Sequence, residues 1–86
     1  MDQVIEELTL LLLYLTSWEE KAFGDTTNRR AWKGFRFEDL DALAEAGYID
    51  QSHRAKSVTL TAAGVERAQA LAAKYIHNTE DANHAG

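Results

Sequence analysis

FEDLDALAEAGYIDQSHRAKSVTLTAAG, residues 37–64, holds in one run a short amphipathic helix, a glycine stop, two strands around a basic turn, and the opening of a new helix. Phe37, Leu40, Leu43, Ala44 and Gly47 recur at steps of three and four, which places them on one helical face. Gly47 closes that helix, because glycine accepts the left-handed backbone that ends a helix. Tyr48-Ile49-Asp50 is short and β-prone, and Ser57-Val58-Thr59-Leu60 alternates polar with apolar as a half-buried strand does. Together they predict a small hairpin whose turn carries Arg54 and Lys56. Thr61 opens the last helix, expected from about Ala62 to Ile76 with Val65, Ala68, Leu71, Ala72, Tyr75 and Ile76 inward and Glu66, Arg67, Gln69 and Lys74 outward.

On the N-terminal side, Val4, Leu8, Leu11, Leu15 and Trp18 alternate steps of four and three, so residues 2 to about 17 read as a helix with these on one apolar stripe. Ile5, Leu10, Leu12, Leu13 and Tyr14 widen the apolar surface well beyond that stripe, which implies a second apolar partner. A homodimer is expected, through Leu10, Leu13 and Tyr14 of this helix with Tyr75 and Ile76 of the last. Ser17 followed by Glu20 matches a capping box, so the chain either breaks and restarts there or carries the first helix on to about Phe23. Gly24 to Asn28 reads as a loop, built from residues that stabilise turns. Residues 29–36, RRAWKGFR, fit a short helix, a short edge strand or an ordered loop; the favoured reading is a short element packed through Trp32. Residues 77–86 lack an apolar stripe and are expected to fray, leaving one domain over 1–76 and a disordered tail over 77–86.

A chain of 86 residues is one domain, near the size at which a single core is only marginally sufficient, and leaves little room for a large active-site cleft. The absence of Cys removes disulfide frameworks and thiolate metal sites and fits a reducing compartment, so the cytoplasm is expected. The longest apolar run, Leu10 to Leu15, falls far short of the roughly 20 residues that cross a bilayer. Asp2, Glu6 and Glu7 precede it where a signal peptide would carry Lys or Arg, so no membrane association is expected. Nine Lys and Arg against 14 Asp and Glu give a net charge of −5, which argues against a generic nucleic-acid coat protein. The average hides a pattern: from Thr26 to Phe37 there is no acid, while Arg29, Arg30, Lys33 and Arg36 cluster there. The acids gather at Glu6, Glu7, Glu19 and Glu20, and again at Glu38, Asp39, Asp41 and Glu45.

LDALAEAGYI, HRAKSVTLTAAG and ERAQALAAKY resemble the later half of winged-helix regulators of the MarR-like and PadR-like kind. In those families a recognition helix ends in a GLI-like pattern, a basic wing hairpin follows, and an LT..G pattern starts the next helix. Taken with LLLYLTSWEE and RAWKGFRFEDLDAL, roughly residues 4–76 also resemble a small bacterial family of uncharacterised winged-helix-like domains. The resemblance implies a mostly α fold with a two-stranded β-wing, a winged helix-turn-helix, and a DNA-binding, transcription-regulator-like function. Two departures stand against it. The second helix of the helix-turn-helix is short and ill-defined, and Glu38, Asp41, Ala42 and Glu45 project from the outward face of the helix that would enter the major groove. Carboxylates there meet a wall of phosphate charge.

Arg29, Arg30, Lys33, Arg36, Arg54 and Lys56 are the candidate DNA contacts, with Arg54 and Lys56 in the wing and the others positioning the backbone. Base reading is expected from Arg36 or the loop near Asn28. The bland reading is a solvated surface balancing nearby acids. Trp18, Trp32, Phe35 and Phe37 have basic residues interleaved with three of them and fit base stacking, but aromatics so closely spaced more often anchor a connector to a core. His53, His77 and His84 have no Cys partners and no spacing that puts two on one helix face, so no metal is expected. No G-x-S-x-G turn surrounds Ser17, Ser52 or Ser57, and the glycines form no phosphate-binding loop. The expectation is therefore a non-enzymatic binding module with no cofactor. DNA is the leading partner. The alternative is another protein gripped by the acidic helix or the apolar first helix, as in a phage-type inhibitor or an assembly subunit.

Overall fold

The computed structural model describes residues 2–21, 27–52 and 54–85, with side chains described up to residue 76 except Thr27. Its order is α1 (Asp2–Leu15), β1 (Trp18–Lys21), β2 (Thr27–Trp32), α2 (Phe37–Glu45), β3 (Ile49–Gln51), β4 (Ser57–Leu60) and α3 (Ala62–Ala85). The four strands form one antiparallel sheet in the order β1-β2-β4-β3. This corrects the expected fold class: the protein is a mixed α/β domain of three helices and a four-stranded sheet, and not a mostly α winged helix with a two-stranded wing. The expected hairpin exists, with Ile49 opposite Leu60 and Gln51 opposite Val58, but β4 also pairs on its other side with β2.

Charge pairing favours the antiparallel alignment of β1 with β2. Glu19 sits opposite Arg29 in the register, with Arg29 Nη2 2.9 Å from Glu19 Oε1, and Arg30 Nε lies 3.4 Å from Glu20 Oε2. Opposite charges on facing strands favour the pairing, and Trp18 and Trp32 add an aromatic contact along it. Ser17 closes α1 instead of capping a new helix: its N–H donates to Tyr14 O at 3.1 Å, and its hydroxyl donates to the same carbonyl. Residues 24–26 of the expected loop lie outside the described residues, whereas Thr27 and Asn28 belong to β2.

Around α2 the sequence reading holds. Gly47 has φ 85°, its N–H donates to Ala44 O at 3.0 Å, and the Tyr48 N–H donates to Leu43 O at 3.0 Å, which together satisfy the last carbonyls of the helix. Thr61 caps α3, accepting from the Gly64 N–H at 3.0 Å while its own hydroxyl donates to Gly47 O at 2.6 Å. The helix continues past the expected end near Ile76.

The core lies between the helices and one face of the sheet. Leu10, Leu13, Ala31, Leu40, Leu43, Ile49, Val58, Leu60, Ala68 and Leu71 are all buried in it. Leu10 and Leu13 are 0% exposed, so neither is open to a second subunit, and the expected dimer contact through them is corrected. The reason is rotational. The outward face of α1 carries Val4, Leu8, Leu12 and Leu15, and of the predicted stripe only Leu11 turns to the core. In its place α1 buries Glu7, which accepts from Tyr75 Oη at 2.7 Å, Lys74 Nζ at 3.0 Å and Arg67 Nη2 at 3.2 Å. These bonds pin α1 to α3. They also commit Tyr75, another expected dimer residue, to its own chain, and they turn Arg67 and Lys74 back toward α1. Tyr14 is half-buried beneath Arg29, whose Cζ stands 5.5 Å from the ring centroid, and Ile76 is half-buried against the core.

Candidate functional site

Alternation along the strands splits the sheet into two faces. Ala31, Val58, Leu60 and Ile49 point into the core. Their strand neighbours Trp18, Glu20, Arg30, Trp32, Asp50, Ser57 and Thr59 occupy the other face, which no helix covers with core residues among those described. There the Trp18 and Trp32 rings meet in a tilted contact, with centroids 4.9 Å apart and planes at 42°. Trp32 is 63% exposed, so it is no core anchor, contrary to its favoured reading. Phe37 is likewise exposed at the start of α2, and Phe35 packs at the edge of the core.

Arg30 lies across β4 beside this aromatic pair. Its Nε donates to Ser57 Oγ at 3.0 Å, Nη1 donates to Thr59 Oγ1 at 3.1 Å, and Nη2 donates again to Ser57 Oγ. The guanidinium is thereby held flat on the sheet. Just beyond Trp32, the Lys33 N–H donates to Lys56 O at 3.1 Å, extending the β2–β4 pairing, and its Nζ donates to Ser52 O at 2.6 Å. That bond ties β2 to the turn after β3, where the Ala55 N–H donates to Ser52 O at 3.2 Å and the Arg54 N–H to Ser52 Oγ at 3.3 Å. Arg54 and Lys56 are exposed there, and neither forms an ion pair among the described residues.

Of the six predicted cations, Lys33, Arg54 and Lys56 gather at the end of the sheet where β2 meets the turn between β3 and β4, while Arg30 alone lies on the outer face, with Glu20 Oε2 3.4 Å from its Nε. The other two do not join them. Arg29 points to the opposite face, donating to Ser17 Oγ at 2.9 Å and pairing with Glu19. Arg36 precedes α2, with Nε 2.8 Å and Nη2 3.3 Å from the buried Asp39 carboxylate. The hydrogen bonds to Asp39 are the main reason its guanidinium pKa is raised still further. His53 lies outside the described residues.

Sequence reasoning missed Ser57 and Thr59 as parts of this face, and weighed Trp18 as a stacking residue only behind a core role. The signal was present in WEEK against NRRA, acids facing bases across a hairpin. The exposed face of α2 is acidic as projected, with Glu38, Asp41 and Glu45 open to solvent and Gln51 Nε2 donating to Asp41 Oδ1 at 2.7 Å. A cleft of about 180 Å³ between the helices is lined by Gln3, Glu6, Glu7, Tyr48 and Arg67, and its one buried carboxylate is satisfied by α3. Among the described residues no group of three or more His, Cys, Asp or Glu is placed to hold a metal ion, and no helix is long and apolar enough to cross a membrane.

The molecule is thus a two-layer α/β domain whose outer sheet face carries an aromatic pair, Arg30, Glu20 and Asp50. It belongs to the family described as a domain of unknown function (DUF6429), whose sequence profile matches residues 1–78. It is similar to the uncharacterized protein y4hR of Sinorhizobium fredii (strain NBRC 101917 / NGR234), 37% identical over 68 residues that span 78% of this chain and 81% of that protein. No solved structure matches the chain.

Proposed function

We propose that this protein is a non-enzymatic nucleic-acid-binding module that holds an unpaired stretch of DNA on the outer face of its sheet. The observation that supports the reading is the exposed Trp32 ring set against the half-buried Trp18 beside a flattened Arg30, with Lys33, Arg54 and Lys56 at the adjoining end of the sheet. Aromatic rings offer a stacking surface to any unpaired base, and a row of cations follows the phosphates. Insertion of α2 into a duplex is disfavoured by Glu38, Asp41 and Glu45 on its open face. The reading assigns the protein to the cytoplasm, where such a polymer is met.

The chain has two Trp, and both stand in this face, so intrinsic fluorescence reports the site directly. Titration with an oligothymidine at about 50 and about 200 mM salt is expected to quench the signal with a salt slope near −0.7 per phosphate contact. Arg54→Ala with Lys56→Ala flattens that slope by about 1.4. Trp32→Ala weakens binding by roughly 1–3 kcal/mol. The absence of quenching and of salt-dependent binding at the lower salt overturns the reading.

A second reading, a module that binds protein, rests on a different surface, the outward face of α1.

A further inference from the structure

The cleft between the three helices is not saturated by its own side chains. Glu7, buried in its wall, is fully engaged by Tyr75, Lys74 and Arg67. Glu6 is different: its carboxylate is half-buried on the α1 rim near Gln3 and has no hydrogen-bond or ion-pair partner among the described residues. On the α3 rim, Arg67 donates through Nη2 to Glu7 at 3.2 Å, and its other N–H groups have no partner among the described residues. Leu10, Leu43 and Leu71 form an apolar floor between the rims, and α2 contributes Ala42 and Ala46, whose small side chains leave the space of about 180 Å³ open.

We infer that this cleft binds a free α-amino acid with an apolar side chain. The ammonium group sits on Glu6 and the Gln3 amide oxygen, the carboxylate on Arg67, and the side chain over Leu10, Leu43 and Leu71. Charge selects the class. A simple anion drawn to Arg67 meets Glu6, which no side chain neutralises, and a simple cation drawn to Glu6 meets Arg67 and the Lys74 bound to the same Glu7. A molecule that carries both charges on one carbon satisfies both rims together, through charge-assisted hydrogen bonds.

Size selects the side chain. An apolar cavity of about 150 Å³ takes up benzene, so a cleft of about 180 Å³ admits an aliphatic group of leucine size with its charged head at the mouth. A ligand of about nine heavy atoms in a half-open cleft binds weakly, with Kd about 0.1–1 mM. The cleft lies among the helices, on the other side of the sheet from Trp32, so this site stands or falls apart from the nucleic-acid reading.

Amide-shift NMR of the full chain, titrated with L-leucine to about 10 mM, tests this. Saturable shifts are expected around Glu6, Ala42 and Arg67, with the outer strand residues unmoved. Two analogues probe the rims without altering the protein: 4-methylpentanoate lacks the ammonium group and 3-methylbutylamine lacks the carboxylate, and each is expected to bind about tenfold more weakly or worse. Glycine, which has no side chain to lay on the floor, is expected not to bind in this range. Glu6→Gln removes a carboxylate that holds nothing in its own chain, so it is expected to keep the parent's Tm while weakening L-leucine about tenfold. An absence of shifts at the highest L-leucine concentration overturns the inference. So does an analogue with one charge that binds as tightly as L-leucine, or a Glu6→Gln chain that retains the parent's affinity.

Discussion

Gly64→Ala is expected to be among the most damaging single changes, although helix propensity argues for the opposite sign. Gly64 is the third residue of α3, and alanine is favoured over glycine by up to about 1 kcal/mol inside a helix. A Cβ at this position would stand 1.9 Å from Tyr48 O, 2.8 Å from Tyr48 C and 3.1 Å from its Cα. The obstacle is backbone, so no side chain can swing aside. Relief requires Tyr48 and the α3 start to separate, which stretches the Thr61 N–H bond to Tyr48 O at 3.0 Å and the Thr61 hydroxyl bond to Gly47 O at 2.6 Å. Overpacking costs about 1–3 kcal/mol and sometimes more, and each weakened hydrogen bond adds about 1 kcal/mol. Set against the propensity gain, the net loss is about 3 kcal/mol, or roughly 12–24 °C in Tm for a domain of this size. Thermal and urea unfolding followed by circular dichroism measure it, with Gly34→Ala as the control, since nothing lies within 4 Å of a Cβ there. A Gly64→Ala chain as stable as the parent, or a Gly34→Ala chain equally damaged, refutes the reasoning.

Two further outcomes follow from α1. Leu10→Ala and Leu13→Ala, in the closed core, are expected to cost about 2–5 kcal/mol each, while Leu12→Ala stays within about 1 kcal/mol; equal losses at Leu10 and Leu12 in urea titrations contradict the helix orientation. The Glu7 cluster sets a pH window. The Tyr75 hydrogen bond, then that of Lys74, holds Glu7 below its ordinary 4.5, so its stabilisation is complete above 4.5 and drains away as pH falls through the lowered value. The hydrogen bond to Glu7 raises Tyr75 above 10.0 and Lys74 above 10.5, so their contribution is complete below those values and is lost as pH rises through the raised ones. Glu7→Gln is expected to lower Tm most between these limits, and a gap from the parent that stays constant from neutral to strongly acid pH argues against the assignment.

Residues 37–64 were legible because each local signal agreed with the fold: the Leu40–Leu43 face, the glycine stop, the alternation of SVTL and the Thr61 cap. The first thirty-odd residues were not, for two physical reasons. An α1 rich in Leu on nearly every side has no single period to read, so the stripe through Val4, Leu8 and Leu15 looked as good as the one that is buried. Its true inner face contains Glu7, which is admitted only because Tyr75, Lys74 and Arg67, distant in sequence, satisfy it. The β1–β2 hairpin hid for a related reason. Its inward positions include Glu19 and Arg29, which pair with each other, so the apolar alternation that marks a strand never appears. The cations were visible as a composition, but their separation into Lys33, Arg54 and Lys56 at one end of the sheet, Arg30 on its outer face and Arg29 and Arg36 elsewhere depended on strands the sequence did not declare.

The order β1-β2-β4-β3 places a seam down the middle of the sheet, since β2 closes the N-terminal half of the chain and β4 belongs to the C-terminal half. Arg30 stitches that seam by reaching from β2 to Ser57 and Thr59, and Lys33 stitches it again at the turn. On the proposed function, a polymer lying across Trp32 of β2 and Ser57 of β4 would span both halves at once. Occupancy of the face would then resist the parting of the two halves, and amide exchange along β2 and β4 is expected to slow more than exchange at the outer edges of β1 and β3.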